Sequence, residues 1–327
     1  MTILGIESSC DETSIGIVRS GRIVACRVYS QNSLHSKYGG IMPELASRAH
    51  LERIVPLFKS TLTDSGISLD EIDGIGVTNM PGLKGSLLVG ASFAAGLAYS
   101  LHRPLYLVNH LHAHIAVNFK SRRVSFPALG LVVSGGHTSL FLVDSHISFR
   151  LLGKTRDDAC GEAFDKVARM LELPYPGGAH LEMAARRGNP CAVSFPRPYL
   201  KGTLDFSFSG LKTAVYYYIK EHGLNRAADI AASFQAAVAD TLVEKLRYAL
   251  DKFPVRSVLF GGGVMQNRYL RSRIVRCLKG MSVAAVLPAK ELCADNGVST
   301  AFAAYFSAKS GVHPADLSIE VIPTKNS

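Results

Sequence analysis

No two of the six cysteines, at positions 10, 26, 160, 191, 277 and 293, stand in a CxxC pair, which argues against a zinc ribbon or a thioredoxin motif. The opening residues Met1 to Glu7 lack a basic stretch followed by a long apolar one, so no secretory signal is expected there. The cysteines are then expected to be reduced thiols in a cytosol. The longest apolar stretch, Leu87 to Leu101, is short for a membrane span and rich in Gly, Ala and Ser. It reads as a buried helix, and the chain as cytoplasmic with no membrane partner. The phosphate loop GxxxxGK[ST] is missing, and no GxGxxG follows the first strand. These absences argue against P-loop and dinucleotide-binding folds.

What is present points to a globular α/β protein. The 327 residues are 47% hydrophobic and 19% charged, with 29 glycines, many in short turns between apolar runs. The length suits one large domain or two lobes. A formal net charge of +10 raises the odds of an anionic partner such as nucleic acid or nucleotide.

Two segments look alike. Residues Ile3 to Val18 and Leu129 to Val143 each run apolar strand, small polar turn, apolar strand. Each is followed by another strand candidate, at Ile23 to Tyr29 and at Ser148 to Leu152. The repeat predicts two lobes related by duplication, 1–127 and 128–327, with the C-terminal helix free to cross back to the first. Further strands are expected at Gly74 to Thr78, Leu105 to Val108, Ser257 to Phe260 and Val283 to Val286. Helices are expected at Gly85 to Leu101, from His110 onward, and over Gly161 to Leu171, Ala179 to Arg187, Leu211 to Glu221, Ala227 to Asp251, Asn267 to Lys279 and Asn296 to Ala308. The tail after Pro314 reads as a poorly packed end.

In Asn109-His110-Leu111-His112-Ala113-His114, a helix places His110 and His114 on one face, four residues apart, while His112 points elsewhere. That spacing suits two ligands on one metal ion. A zinc protease needs Glu directly after the first His, and here it is Leu111. Asp295 reads either as a third ligand or as the N-cap of the helix that follows. Two imidazoles and a carboxylate would leave positions open for substrate. Glycine turns at Val133-Ser134-Gly135-Gly136-His137, Pro176-Gly177-Gly178 and Gly261-Gly262-Gly263 let backbone amides approach an anion. Asp11 and Glu12 lie in the first hairpin turn. Asp165 and Lys166 read as a surface ion pair on a helix.

Glu7-Ser8-Ser9-Cys10-Asp11-Glu12-Thr13, Gln31 to His35, Gly39 to Glu44, Arg48-Ala49-His50, Asn109-His110 with Ala113-His114, Val133 to Thr138, Gly161 to Lys166, Tyr175 to Gly178, Phe206 to Thr213, Ser233-Phe234-Gln235 and Cys293 to Gly297 occur in that order. Together they resemble the TsaD family of bacterial-type tRNA N6-adenosine threonylcarbamoyltransferases, once called sialoglycoproteases. The resemblance implies an α/β, two-lobed actin-like ATPase (ASKHA) fold of duplicated RNase H-like units with a central nucleotide cleft. It implies transfer of threonylcarbamoyl from threonylcarbamoyl-AMP to the N6 amine of the adenosine 3′ of the anticodon, in tRNAs reading ANN codons. It implies one divalent metal ion, Fe2+ favoured over Zn2+, on His110, His114 and Asp295. Substrate contacts carry over to Val133, Ser134, Gly135, Gly136, His137, Asp165, Gly178, Glu182 and Asn267. The implied partners are tRNA, a smaller paralogue (TsaB) and an ATPase subunit (TsaE). Asp11 and Glu12 are the candidates for handling the amine proton. An ATPase or kinase of the same fold, or a metallopeptidase, are the alternatives. Glu182 stands where the family often has Asp or Ser, and Ala179 where a Pro usually follows the glycine pair.

Overall fold

The computed structural model describes residues 1–324; the last part of the tail, 325–327, lies outside them. The chain divides into two compact units, one of Met1–Arg122, Ser145–Ser148 and the segment from Asp295 onward, the other of Arg123–Asp144 and Phe149–Ala294.

In the first unit, β1 (Thr2–Glu7), β2 (Glu12–Arg19) and β3 (Arg22–Ser30) form an antiparallel meander. A short α1 (Asn32–His35) and a long α2 (Pro43–Ser65) follow. Then come β4 (Gly74–Met80), α3 (Lys84–Leu101), β5 (Leu105–Asn109) and α4 (His110–Ala116). The sheet order is β3-β2-β1-β4-β5, with β4 and β5 parallel to β1. β1 is buried along its whole length. Leu4 and Ile6 join Ile54 and Phe58 of α2 and Ala94 of α3 in one apolar cluster. Sequence periodicity did not predict α2. It starts on Pro43, carries Pro56 in its interior, and ends on Gly66 at φ +63°, where a left-handed residue closes a helix at little cost.

The second unit repeats the plan. β6 (Ala128–Val133), β7 (Thr138–Val143) and β8 (Phe149–Lys154) form a meander. Helices α5 (Cys160–Met170), α6 (Gly177–Ala185), α7 (Ser209–His222) and α8 (Ala227–Lys252) lead to β9 (Ser257–Gly261), α9 (Arg268–Leu278) and β10 (Ala284–Val286). The order β10-β9-β6-β7-β8 has the same sense of strands as the first sheet, with β9 parallel to β6 and β10 parallel to β9. This common topology is what a duplicated unit requires. Phe164, Phe206, Phe208, Phe234 and Phe260 are central to its core.

The last helix, α10 (Gly297–Lys309), lies on the first sheet, so the second lobe ends short of 327. The cause is a row of glycines. Gly16, Gly5 and Gly76 are register neighbours across β2, β1 and β4. A Cβ on Gly5 would stand 2.1 Å from Gly297 O, one on Gly16 2.3 Å from Val298 N, and one on Gly76 2.5 Å from Ala304 Cβ. The groove admits the helix backbone directly onto the strands. The tail beyond it is also tied down, contrary to expectation. Ala315 N donates to Leu105 O (2.7 Å), Ile322 N to Asn79 O (2.9 Å) and Thr324 N to Gly82 O (2.9 Å).

Candidate active site

In the first unit the chemistry gathers where β1, β4 and β5 end. The chain passes straight from β5 into α4, whose N-cap Asn109 accepts from the amides of Leu111 (2.9 Å) and His112 (3.3 Å). His110 and His114 are both buried, and their rings meet edge to face at 4.6 Å. Asp295 arrives just before α10. The cap of that helix is Asn296, whose side chain accepts from Ser299 N, so capping is not the role of Asp295. Its Oδ1 lies 3.6 Å from His110 Nε2 and 3.2 Å from His114 Nε2. The ligand atoms of the three side chains all lie within 4.8 Å of one another. His112 stands outside this group, and burial pushes its imidazole down to about 4.

His114 Nε2 tests whether these residues fit a metal. It is buried and, among the described residues, makes no hydrogen bond. The Asp295 oxygen is within ion-pair range but not aligned to accept. Two ligands about 2.1 Å from one ion stand roughly 3 to 3.5 Å apart, so the imidazole–carboxylate spacings match a shared ion better than a direct bond. The donor set suits iron(II) or zinc.

Sequence reasoning gave no separate role to the residues behind this group. Glu7 ends β1 at 2% exposure. Its Oε1 accepts from Ser9 N (2.7 Å), and its Oε2 accepts from Thr78 Oγ1 (2.7 Å) and lies 3.2 Å from His110 Nδ1. Ser9 Oγ is 3.1 Å from the same nitrogen. The available signal was a carboxylate ending an otherwise apolar strand, TILGIE. Burial disfavours charge on His110, but the Asp295 and Glu7 carboxylates outweigh it and lift the imidazole to about 9. Glu12 opens β2 and Asp11 directly precedes it. Burial, then the charges of Asp295 and Asp11, raise the Glu12 carboxyl well above the usual carboxylate range.

In the second unit two turns meet where the parallel strands β6 and β9 end, and a third packs against α5. Ser134 N donates to His137 O (2.7 Å), closing the β6–β7 turn over Gly135 and Gly136. The turn then seats α5: Ser134 O and Gly135 O accept from the amides of Gly161 (3.1 Å) and Glu162 (3.0 Å). A Cβ on Gly161 would lie 2.6 Å from Ser134 O. Gly262, at φ +93°, has room for no Cβ either, with Val133 O 2.3 Å away. Asp165 projects from α5 to the start of α6, where its Oδ1 accepts from Gly177 N (2.8 Å) and Gly178 N (3.2 Å). Pro176 precedes α6 and has no side-chain acceptor to cap it; Asp165 performs that task. The expected Asp165–Lys166 pair does not form, since Lys166 Nζ binds Asp158 (2.8 Å) and Glu162 (2.7 Å).

Glu182 Oε1 accepts from Arg268 N (3.2 Å). Asn267 caps α9 through Leu270 N (3.0 Å) and donates from Nδ2 to Gln235 Oε1 (2.7 Å). Glu182, Arg186, Gln235, Arg268 and Tyr269 line a cavity of about 260 Å³. The structure thus joins Val133–His137 to Asp165 and Gly178 through α5, and Glu182 to Asn267 through the start of α9. Gln235 and Tyr269 are additions to the expected set.

A family model described as TsaD, tRNA N6-adenosine threonylcarbamoyltransferase, matches residues 22–302. A tRNA N6-adenosine threonylcarbamoyltransferase of Kosmotoga olearia is 47% identical over 314 residues, 95% of each chain. Among solved structures, HypF of T. kodakarensis superposes with a TM-score of 0.67 at 15% identity, over 95% of this chain and 48% of that one. The ROK hexokinase of Thermus thermophilus does so at 0.51 and 18%, over 95% and 100%. The expected actin-like α/β architecture is thereby the fold of this chain. No helix of the described residues is long and apolar enough to cross a membrane.

Proposed function

The chain belongs to the TsaD family of tRNA N6-adenosine threonylcarbamoyltransferases, and from that premise we propose that its donor is threonylcarbamoyl-AMP and that His110, His114 and Asp295 hold an iron(II) or zinc ion. The acceptor is then the N6 amine of the adenosine 3′ of the anticodon in tRNAs reading ANN codons, with AMP released. The observation that carries the metal reading is the buried His114 Nε2 facing the Asp295 carboxylate without a hydrogen bond.

When bound, such an ion supplies Lewis acidity toward the oxygens of the donor. The chain's own residues do the rest. The Ser134–His137 turn offers backbone amides to the phosphate, and a preorganised donor of this kind is worth about 3–4 kcal/mol in acyl transfer. Asp165 fixes the Gly177–Gly178 amides, while Glu182 lines the cavity that would take part of the nucleoside and Asn267 holds Gln235 on its wall. Glu12, at the start of β2, accepts the proton of the attacking amine, with Asp11 beside it. The reading includes a cytosolic setting, consistent with the six free thiols, and assembly with a smaller paralogue (TsaB) and an ATPase subunit (TsaE).

Purified chain, tRNA and threonylcarbamoyl-AMP, with those partner proteins added, decide it. The wild-type mixture should give modified tRNA and AMP in equal amounts. His110→Ala should abolish transfer and lower bound metal. Transfer that persists after the metal is stripped would refute the metal reading.

A further inference from the structure

We propose that Glu7 is a positioning residue for the metal, holding the His110 ring so that its Nε2 lone pair faces Asp295. The inference rests on the metal reading above. A carboxylate does not close a buried strand without cause, because an unpartnered charge there costs several kcal/mol. Glu7 is partnered from four directions. The β1–β2 turn supplies Ser9 N (2.7 Å) and β4 supplies Thr78 Oγ1 (2.7 Å). Helix α10 supplies Thr300 Oγ1 (3.4 Å), and α4 supplies His110 Nδ1 (3.2 Å).

The chemistry of the partners decides the tautomer. Ser9 Oγ, 3.1 Å from His110 Nδ1, can either donate or accept, so alone it permits a proton on either ring nitrogen. A carboxylate only accepts. In the neutral ring that binds a metal, Glu7 therefore requires the hydrogen on Nδ1 and leaves the lone pair on Nε2, the atom 3.6 Å from Asp295 Oδ1. Thr300 lies on the helix that Asp295 precedes, so one carboxylate ties the orientation of a histidine on α4 to the element that delivers the third ligand. Glu7, Gly5 and Ile3 alternate along β1, which puts Glu7 on the face against which α10 packs.

Zinc titration of metal-stripped protein against a chromophoric chelator tests this, with thermal melting of the same metal-free samples. Glu7→Gln keeps the shape and can still accept from Ser9 N, but its amide can present a donor to His110. It should melt within a few degrees of wild type and bind Zn2+ about 10- to 100-fold more weakly, the usual effect of removing the partner behind a metal-bound histidine. Thr78→Val, which removes one brace and little volume, should weaken binding a few-fold. His114→Ala is the control for the site itself. If His114→Ala takes up zinc as well as wild type does, the three side chains bind no metal and the inference falls with that reading. If His114→Ala loses zinc while Glu7→Gln retains wild-type affinity, only the role of Glu7 is overturned. Should Glu7→Gln fail to fold, Thr78→Val decides, and unchanged zinc affinity in the folded variant overturns the role.

Discussion

His110 sits between two carboxylates, and in the metal-free chain these hold its imidazole charged up to about pH 9. A histidine ligates only in its neutral form, so a metal ion must displace that proton. Uptake of zinc should therefore strengthen about tenfold per pH unit between roughly pH 6 and 8, with one proton released per ion. The sign follows from the raised value: lowering pH favours the imidazolium, which competes with the ion. Calorimetric titration in buffers of different ionisation enthalpy counts the proton, and a pH-independent affinity would show that His110 is not a ligand. The same carboxylates act on stability. The folded-state value lies above the ordinary one near 6.5, so the stability His110 contributes is fully present below about pH 6.5 and lost as pH rises through about 9.

The position of Asp295 depends on how α10 lies on the sheet, and that depends on Gly5, Gly16 and Gly76. A methyl group on Gly5 would meet the carbonyl of Gly297 at 2.1 Å and Ala301 N at 2.4 Å. Both are backbone atoms, so no rotamer relieves the clash and the helix has to shift. Gly5→Ala should destabilise the chain by about 3 kcal/mol, the upper end for overpacking, read by denaturant unfolding. It should also weaken zinc binding although no ligand is changed, and wild-type zinc affinity in the folded variant would show that the groove does not place Asp295. This element marks where sequence reading stops. The strand pairs and the His110–His114 spacing were legible because each is a local periodicity or an i, i+4 relation. The glycine row was not, because Gly5, Gly16 and Gly76 become neighbours only through strand register. For the same reason Asp295 stayed open between ligand and cap. Helix α2 was hidden by Pro56 within it, and the pinned tail by hydrogen bonds to two strands and a turn more than 200 residues earlier.

At the scale of the molecule, duplication gives each unit a sheet of the same order, and each places its candidate residues at the carboxyl ends of parallel strands, where α/β sheets commonly bind ligands. In one unit those ends carry ionisable side chains, at Glu7, His110, His114 and Asp295; in the other they carry glycine turns and backbone amides. The two functions should respond differently to salt. A net charge of +10 favours a polyanionic substrate, and contacts between surface cations and phosphates release counterions, so they weaken steeply as salt rises. The buried ligand group is screened far less. Raising salt from about 50 to 200 mM should increase the KM for tRNA by about tenfold or more and leave zinc affinity nearly unchanged. A KM that stays flat over this range would mean that the positive balance is not what holds the tRNA. A parallel loss of zinc would mean instead that the metal group is open to solvent, against the burial of His110 and His114.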